Sequence, residues 1–232
     1  MKATDEGGKP GREEERRAML RAIEEEVRAT AAWTGRAELD PRVREALARV
    51  PRHAFVPPGE EAYAYCNVAR PIGCGQTISQ PYIVAIMSDL ACIGPDDTVL
   101  EVGTGSGYQA AILAELARRV YSVEAVGELA GAARERLAGL GYRNVEVREG
   151  DGWEGWPEHA PFDAILVTAA APEVPPPLVE QLRPGGRLVM PLGRPFAEQE
   201  LIVLEKHGDG RTTTREVLPV AFVPLVRRRP DV

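Results

Sequence analysis

Three glycines and three carboxylates stand where a ligand cradle would need them. Leu100-Glu101-Val102 runs directly into Gly103-Thr104-Gly105-Ser106-Gly107. Glycines at a turn from strand to helix let the backbone approach a ligand closely and leave the first helical amides facing it. The pattern is G-x-G-x-G. A dinucleotide fingerprint would place its third glycine at position 108, which is Tyr108. The remaining chain offers no second mononucleotide-binding half. Glu124 ends the next apolar run, about 20 residues past Gly103, where a carboxylate can accept hydrogen bonds from both ribose hydroxyls of a nucleoside. Asp151, in Gly150-Asp151-Gly152, follows the run after that. Taken singly, a strand-end Glu is often a solvated residue and Gly-Asp-Gly a plain turn. Three such positions at successive strand ends favour a nucleoside-bearing cofactor. Ser79, in Thr77-Ile78-Ser79-Gln80-Pro81, is a further polar candidate, although on local grounds alone it reads as a helix N-cap.

The elements that must position these residues can be traced by periodicity. From Arg12 the chain is helical, with Met19, Leu20, Ile23 and Val27 three and four apart. Asp40-Pro41 opens a second helix with Val43, Leu47 and Val50 on one face, ending near Pro51. Phe55 to Thr77 is rich in Pro, Gly and Tyr without a steady period and reads as an ordered loop. A helix then runs from Ser79-Gln80-Pro81 through Val84, Met87 and Leu90 to Gly94-Pro95. Strands over Thr98–Val102, Val120–Val123, Val145–Arg148, Asp163–Val167 and Arg187–Met190 alternate with helices near Tyr108–Ala117, Leu129–Leu140 and Pro175–Leu182. Leu201–Glu205 and Val217–Val223, separated by His207-Gly208-Asp209-Gly210, read as an antiparallel hairpin. The expected fold is α/β: a Rossmann-like, doubly wound, mostly parallel sheet with helices on both faces, a C-terminal antiparallel hairpin and a helical N-terminal extension.

The bulk composition narrows the function classes. The chain has 232 residues, 44% hydrophobic and 27% charged, with a net charge of −7. One domain is expected: a charged tail and helical extension over 1–39, a substrate-site segment over 40–95 and a cofactor-binding core over 96–226. The negative charge argues against nucleic-acid binding by counterion release. Cys66, Cys74 and Cys92 are odd in number and form no C-x-x-C pair, while His53, His159 and His207 are scattered. Neither a disulfide framework nor a metal site is expected. There is no signal peptide or membrane span, and the chain reads as cytoplasmic and monomeric.

The glycine run, with an acid two residues before its first glycine, resembles the S-adenosylmethionine (SAM) loop of class I methyltransferases. A more specific resemblance lies upstream. Arg70-Pro71-Ile72-Gly73-Cys74-Gly75-Gln76-Thr77-Ile78-Ser79-Gln80-Pro81-Tyr82 is similar to the signature of the protein-L-isoaspartate (D-aspartate) O-methyltransferases. The likeness extends from about residue 40 to about 226, through Val50-Pro51-Arg52-His53-Ala54-Phe55-Val56-Pro57, Gly150-Asp151-Gly152-Trp153-Glu154-Gly155-Trp156, Val167-Thr168-Ala169-Ala170 and Phe222-Val223-Pro224-Leu225. Cys74 departs from the Tyr or Gln of many members, the extension before Asp40 is longer than usual, and Arg227-Arg228-Arg229 is outside the resemblance.

This resemblance implies SAM as cofactor, held by Glu101, Gly103, Thr104, Gly105, Gly107, Glu124, Asp151 and Gly152, with Asp151 at the adenine amino group. It implies that Ser79 is the active-site serine, orienting an isoaspartyl carboxylate, and that Thr77, Ile78, Pro224 and Leu225 form the substrate cleft. The implied partners are isoaspartyl-containing proteins and peptides, whose methyl esters collapse to a succinimide and regain some normal linkage. Trp153 and Trp156 read as packing before adenine contacts. Two other functions remain open on the sequence: methylation of an Asp side chain in a dedicated biosynthetic peptide, and SAM binding without catalysis.

Overall fold

The structure is a computed structural model that describes residues 11–194 and 197–227. The tail expected over residues 1–11, apart from its last residue, and Arg228-Arg229 of the basic end lie outside the described residues. In chain order the elements are α1 (Gly11–Ala29), α2 (Ala31–Thr34), α3 (Pro41–Arg49), β1 (Arg70–Gly73), β2 (Gln76–Ile78), α4 (Pro81–Leu90), β3 (Thr98–Val102), α5 (Tyr108–Leu116), β4 (Arg119–Glu124), α6 (Gly127–Gly139), β5 (Val145–Glu149), β6 (Phe162–Val167), α7 (Pro176–Gln181), β7 (Leu182–Gly193), β8 (Gln199–Lys206) and β9 (Thr212–Val220).

β1 and β2 pair only with each other, and the other seven strands form one sheet in the order β5-β4-β3-β6-β7-β8-β9. The pairs from β5 across to β7 are parallel, and β7–β8 and β8–β9 are antiparallel. The chain therefore builds outward from β3 to one edge, returns, and builds from β6 to the other. That reversal opens a crevice at the carboxyl ends of β3 and β6, the switch point where open α/β sheets take their ligands. The expected doubly wound architecture, with its antiparallel finish, is the one observed.

Residue alternation on the central strands explains why both faces are covered. Val99 of β3 and Leu166 of β6 join the core formed with α1, α3, α4 and α5. Their neighbours Leu100, Val102, Ile165 and Val167 face the other way, against Trp156, Phe162 and Leu178. Each such buried aliphatic side chain contributes roughly 1.5–3 kcal/mol. Met19, Ile23 and Val27 of α1 are buried in the first of these cores, so the helical extension is integral to it. The Asp40 side chain accepts from Arg42 N at 2.7 Å with Pro41 behind it, the helix start its sequence predicts.

Two expectations need correction. Within the presumed loop over Phe55–Thr77 the chain folds a hairpin, β1–β2, closed by Cys74 at φ 52° and Gly75 at φ 70°. Positive φ at both central residues is the type I′ turn that suits hairpin twist. A cysteine in such a turn carries no sequence signal, and strands this short show no period. The second correction concerns strand length. β7 starts at Leu182 instead of Arg187, and β9 at Thr212 instead of Val217. The added part of β9, Thr212–Glu216, is exposed on an edge strand, where no apolar alternation marks it.

Candidate active site

Beyond Val102 the chain turns through Gly103 (φ 96°), Gly105 (φ 52°) and Gly107 (φ 87°), and Gly107 caps α5. A Cβ on Gly103 would lie 2.4 Å from Thr168 Oγ1. Backbone conformation and space therefore both require glycine there. Gly103 N donates to Val123 O at 2.8 Å, and the Thr168 hydroxyl donates to Gly103 O at 2.6 Å. The turn is thus pinned to β4 on one side and to the end of β6 on the other.

Glu124, the last residue of β4, is buried, and its carboxylate accepts from Gly105 N at 2.8 Å and Val126 N at 3.0 Å. These bonds hold the carboxylate against the turn while leaving each oxygen further acceptor capacity. On the next loop, a Cβ at Gly152 would come within 2.4 Å of Val102 Cγ1, so the chain after β5 crosses tightly over β3. Gly103, Thr104, Gly105, Glu124 and Gly152 together line one wall of a cavity. The lining is completed by Thr77, Ile78 and Ser79 from the hairpin side and by Pro224 and Leu225, the last lying beside Gly152. The latter pair is anchored by Leu225 N donating to Ala170 O at 2.7 Å.

Three expected cofactor residues, Glu101, Gly107 and Asp151, are not among those that line this cavity. Glu101 is fully buried on β3; its Oε2 accepts from the Ser122 hydroxyl, which meets Thr104 Oγ1 at 2.6 Å, and its Oε1 has no partner among the described residues. Burial pushes its pKa up to about 8, against the lowering effect of the Ser122 hydrogen bond. Glu101 thus reaches the glycine turn only through Ser122 and Thr104. Gly107 shapes the entry to α5. The Asp151 carboxylate accepts from Trp153 N at 2.9 Å and lies 3.8 Å from Arg227 Nη1. Trp156 packs among Tyr121 and Phe162, and neither it nor Trp153 lines the cavity. Residues to which the sequence assigned no role also line it, among them Ser106, Gln109 and Thr168. Thr168 had a usable signal, since it follows a central apolar strand at the switch point.

Ser79 is not the helix cap that its local sequence suggests. Gln80 occupies the cap position of α4, without a side-chain capping bond. Among the described residues the Ser79 hydroxyl has no hydrogen-bond partner; only its carbonyl is engaged, by Arg52 Nη2 at 2.7 Å. The residue after it is tethered from α1, where the Glu26 carboxylate accepts from Gln80 Nε2 at 3.0 Å and Asn67 Nδ2 at 2.7 Å. Thr77 and Ser79 also border a second cleft, walled by Trp33 of α2, Ile83 of α4, Leu218 and Val220 of β9, and Phe222. Trp33 presents its indole to this cleft at 62% exposure.

A glycine turn and strand-end carboxylate at the switch point of such a sheet are the cofactor architecture of the class I SAM-dependent methyltransferases. The residues fit that cofactor: the turn admits no side chain at Gly103, and Glu124 is held at the wall with acceptor capacity to spare. Residues 32–230 match the family model described as Protein-L-isoaspartate(D-aspartate) O-methyltransferase, and the chain belongs to that family. It is 63% identical over 210 residues to Protein-L-isoaspartate O-methyltransferase 2 of Syntrophobacter fumaroxidans, covering 90% of this chain and 85% of that one. Among solved structures, a protein-L-isoaspartate O-methyltransferase superposes with a TM-score of 0.78 at 26% identity, over 90% of this chain and 65% of that chain. A Plasmodium falciparum beta-aspartate methyltransferase in complex with S-adenosyl-L-homocysteine shares the fold, with a TM-score of 0.75 at 23% identity over 91% and 98% of the two chains.

Proposed function

We propose that this chain methylates the free carboxylate of L-isoaspartyl residues, and of D-aspartyl residues, in damaged proteins and peptides. The observation that carries this reading is the Ser79 hydroxyl, without a partner among the described residues and placed where the cofactor cavity and the second cleft meet. A carboxylate is ionised near neutral pH, so it needs orientation and dryness more than a general base. Bound SAM supplies a methyl group on a sulfonium, an electrophile suited to an ionised oxygen.

The chain's residues do the rest. Gly103, Thr104 and Gly105 present backbone to the cofactor, shaped by Gly107 and supported from beneath by Glu101. Glu124 takes the ribose hydroxyls, and Gly152 with Asp151 forms the adenine end. The Ser79 hydroxyl donates to the substrate carboxylate and fixes its direction. Ile78, Pro224 and Leu225 supply apolar surface that keeps water from the transfer, and Thr77 borders the path of the peptide. The apolar second cleft, from Ser79 toward Trp33, receives the chain flanking the damaged residue. The ester product collapses to a succinimide, which makes the overall process one of repair.

The same reading takes the chain as a single catalytic domain working as a cytoplasmic monomer on protein clients. Its net charge of −7 suits neither nucleic acid nor an anionic membrane surface. Among the described residues no helix is long and apolar enough to cross a membrane. The test uses SAM labelled on its methyl group and two peptides that differ only in a normal or an isoaspartyl linkage. Base-labile label on the isoaspartyl peptide alone is the expected result. No label on either peptide, from protein that binds S-adenosyl-L-homocysteine, would overturn the proposal.

A further inference from the structure

Arg52 follows Pro51 at the end of α3 and is wholly buried. Its Nε donates to Ala64 O at 2.8 Å and its Nη2 to Ser79 O at 2.7 Å, while the guanidinium carbon lies 4.6 Å from the centre of the Tyr108 ring. Nη1 has no hydrogen-bond partner among the described residues. No carboxylate pairs with this cation among the described residues; burial lowers its pKa, and only the Tyr108 and Tyr65 side chains oppose that. Arginine nevertheless stays charged at any ordinary pH. Carbonyl oxygens satisfy donors without neutralising the charge, and an unpaired buried charge is strongly destabilising. An apolar side chain of similar length would fill the same space without that cost. The described residues leave this charge uncompensated, and the position calls for a counter-charge from a ligand. The residues it touches show where that charge would arrive, because Ser79 borders both cavities and Tyr108 borders the cofactor cavity.

We propose that Arg52 is a positioning residue whose missing counter-ion is the substrate carboxylate: it fixes the Ser79 backbone and its buried charge favours an anion at the Ser79 hydroxyl. This rests on the carboxyl-methylation reading above. It adds that the site selects a carboxylate over the isosteric carboxamide by charge as well as by hydrogen bonding. The guanidinium holds the carbonyl of the same residue whose hydroxyl would meet the anion, and unit charges that close, at an effective dielectric of about 20 to 40, give on the order of tenfold or more in affinity.

The experiment compares two peptides, one isoaspartyl and one with the neutral isoasparaginyl carboxamide at the same position. Their binding is measured by calorimetry in the presence of S-adenosyl-L-homocysteine, for the unaltered protein, Arg52→Met and Arg52→Lys. The unaltered protein is expected to prefer the carboxylate by at least about tenfold. Arg52→Met should lose about tenfold for the isoaspartyl peptide and less than about twofold for the carboxamide, with S-adenosyl-L-homocysteine binding retained. Arg52→Lys keeps the charge and should keep most of the preference, which provides the test if the methionine variant does not fold. Equal loss of both peptides in Arg52→Met, or a lost preference in folded Arg52→Lys, would show a purely structural role and overturn the proposal. Methyl transfer by the unaltered protein to the same isoaspartyl peptide is scored separately. Its absence would indict the carboxyl-methylation reading and not the role of Arg52 alone.

Discussion

Ser79→Ala separates a structural serine from a substrate-binding one. The residue does not cap α4, so the roughly 1 kcal/mol usually lost with a capping side chain is not at stake. Its hydroxyl bonds to nothing else among the described residues, and its bond from Arg52 is made by the backbone carbonyl, which alanine keeps. Folding stability should therefore change by less than about 0.5 kcal/mol, or about 2 °C in Tm for a chain of this size. A hydrogen bond to a charged acceptor is worth about 1.5–3 kcal/mol, which corresponds to a fall of roughly 10- to 150-fold in kcat/KM. The assay is methyl transfer to an isoaspartyl peptide with kcat and KM resolved, beside a thermal melt and calorimetry with S-adenosyl-L-homocysteine. Cofactor-analogue affinity should stay within about twofold, since Ser79 only borders that cavity. A variant that melts several degrees lower with kcat/KM unchanged would refute the reasoning, because the hydroxyl would then be holding the fold and not the substrate.

Gly103→Ala combines a residue at φ 96° with a Cβ 2.4 Å from Thr168 Oγ1. Left-handed backbone alone costs a non-glycine about 1–2 kcal/mol, so S-adenosyl-L-homocysteine affinity should drop at least about tenfold and Tm by several degrees; unchanged calorimetry would contradict this. For Glu101, the folded pKa of about 8 lies above the ordinary value of 4.5. The folded chain then binds more protons between those values, and stability falls as pH rises through that window. Glu101→Gln should remove this slope, so that the wild-type Tm declines relative to the variant from pH 5 toward about pH 8; parallel curves would show that Glu101 is not the source. Trp33→Ala removes an exposed indole and should leave Tm and kcat unchanged while raising KM several-fold for peptides with a bulky apolar flank. Equal KM values across flanking sequences would remove the second cleft from the peptide path.

Much of the frame was legible because its signals are strong and local. The central strands are nearly continuous apolar runs, Asp40-Pro41 announces α3, and the glycine turn marks the crevice. What the sequence hid are contacts between distant segments. Glu101 and Glu124 look alike as acids near the ends of neighbouring strands, yet the fold buries one beneath the turn and brings the other to the cavity. Ser79 looks like a cap until the backbone places Gln80 there instead. Thr168, more than sixty residues from the glycine it secures, has no local mark beyond its place at a strand end. Arg52 shows only as part of a family resemblance; its charge becomes a question once burial and the missing carboxylate are seen.

The hairpin has a consequence for how ligands sense one another. β2 leads directly into Ser79, so one short stretch of backbone borders both cavities, in an element paired with nothing in the main sheet. An isolated two-stranded hairpin has little stability of its own. A ligand that tightened it on one side would spare the ligand on the other that ordering cost, and linkage would make the benefit equal in both directions. Cofactor and damaged peptide would then be partners in a single coupled equilibrium, each departing more readily once the other had gone.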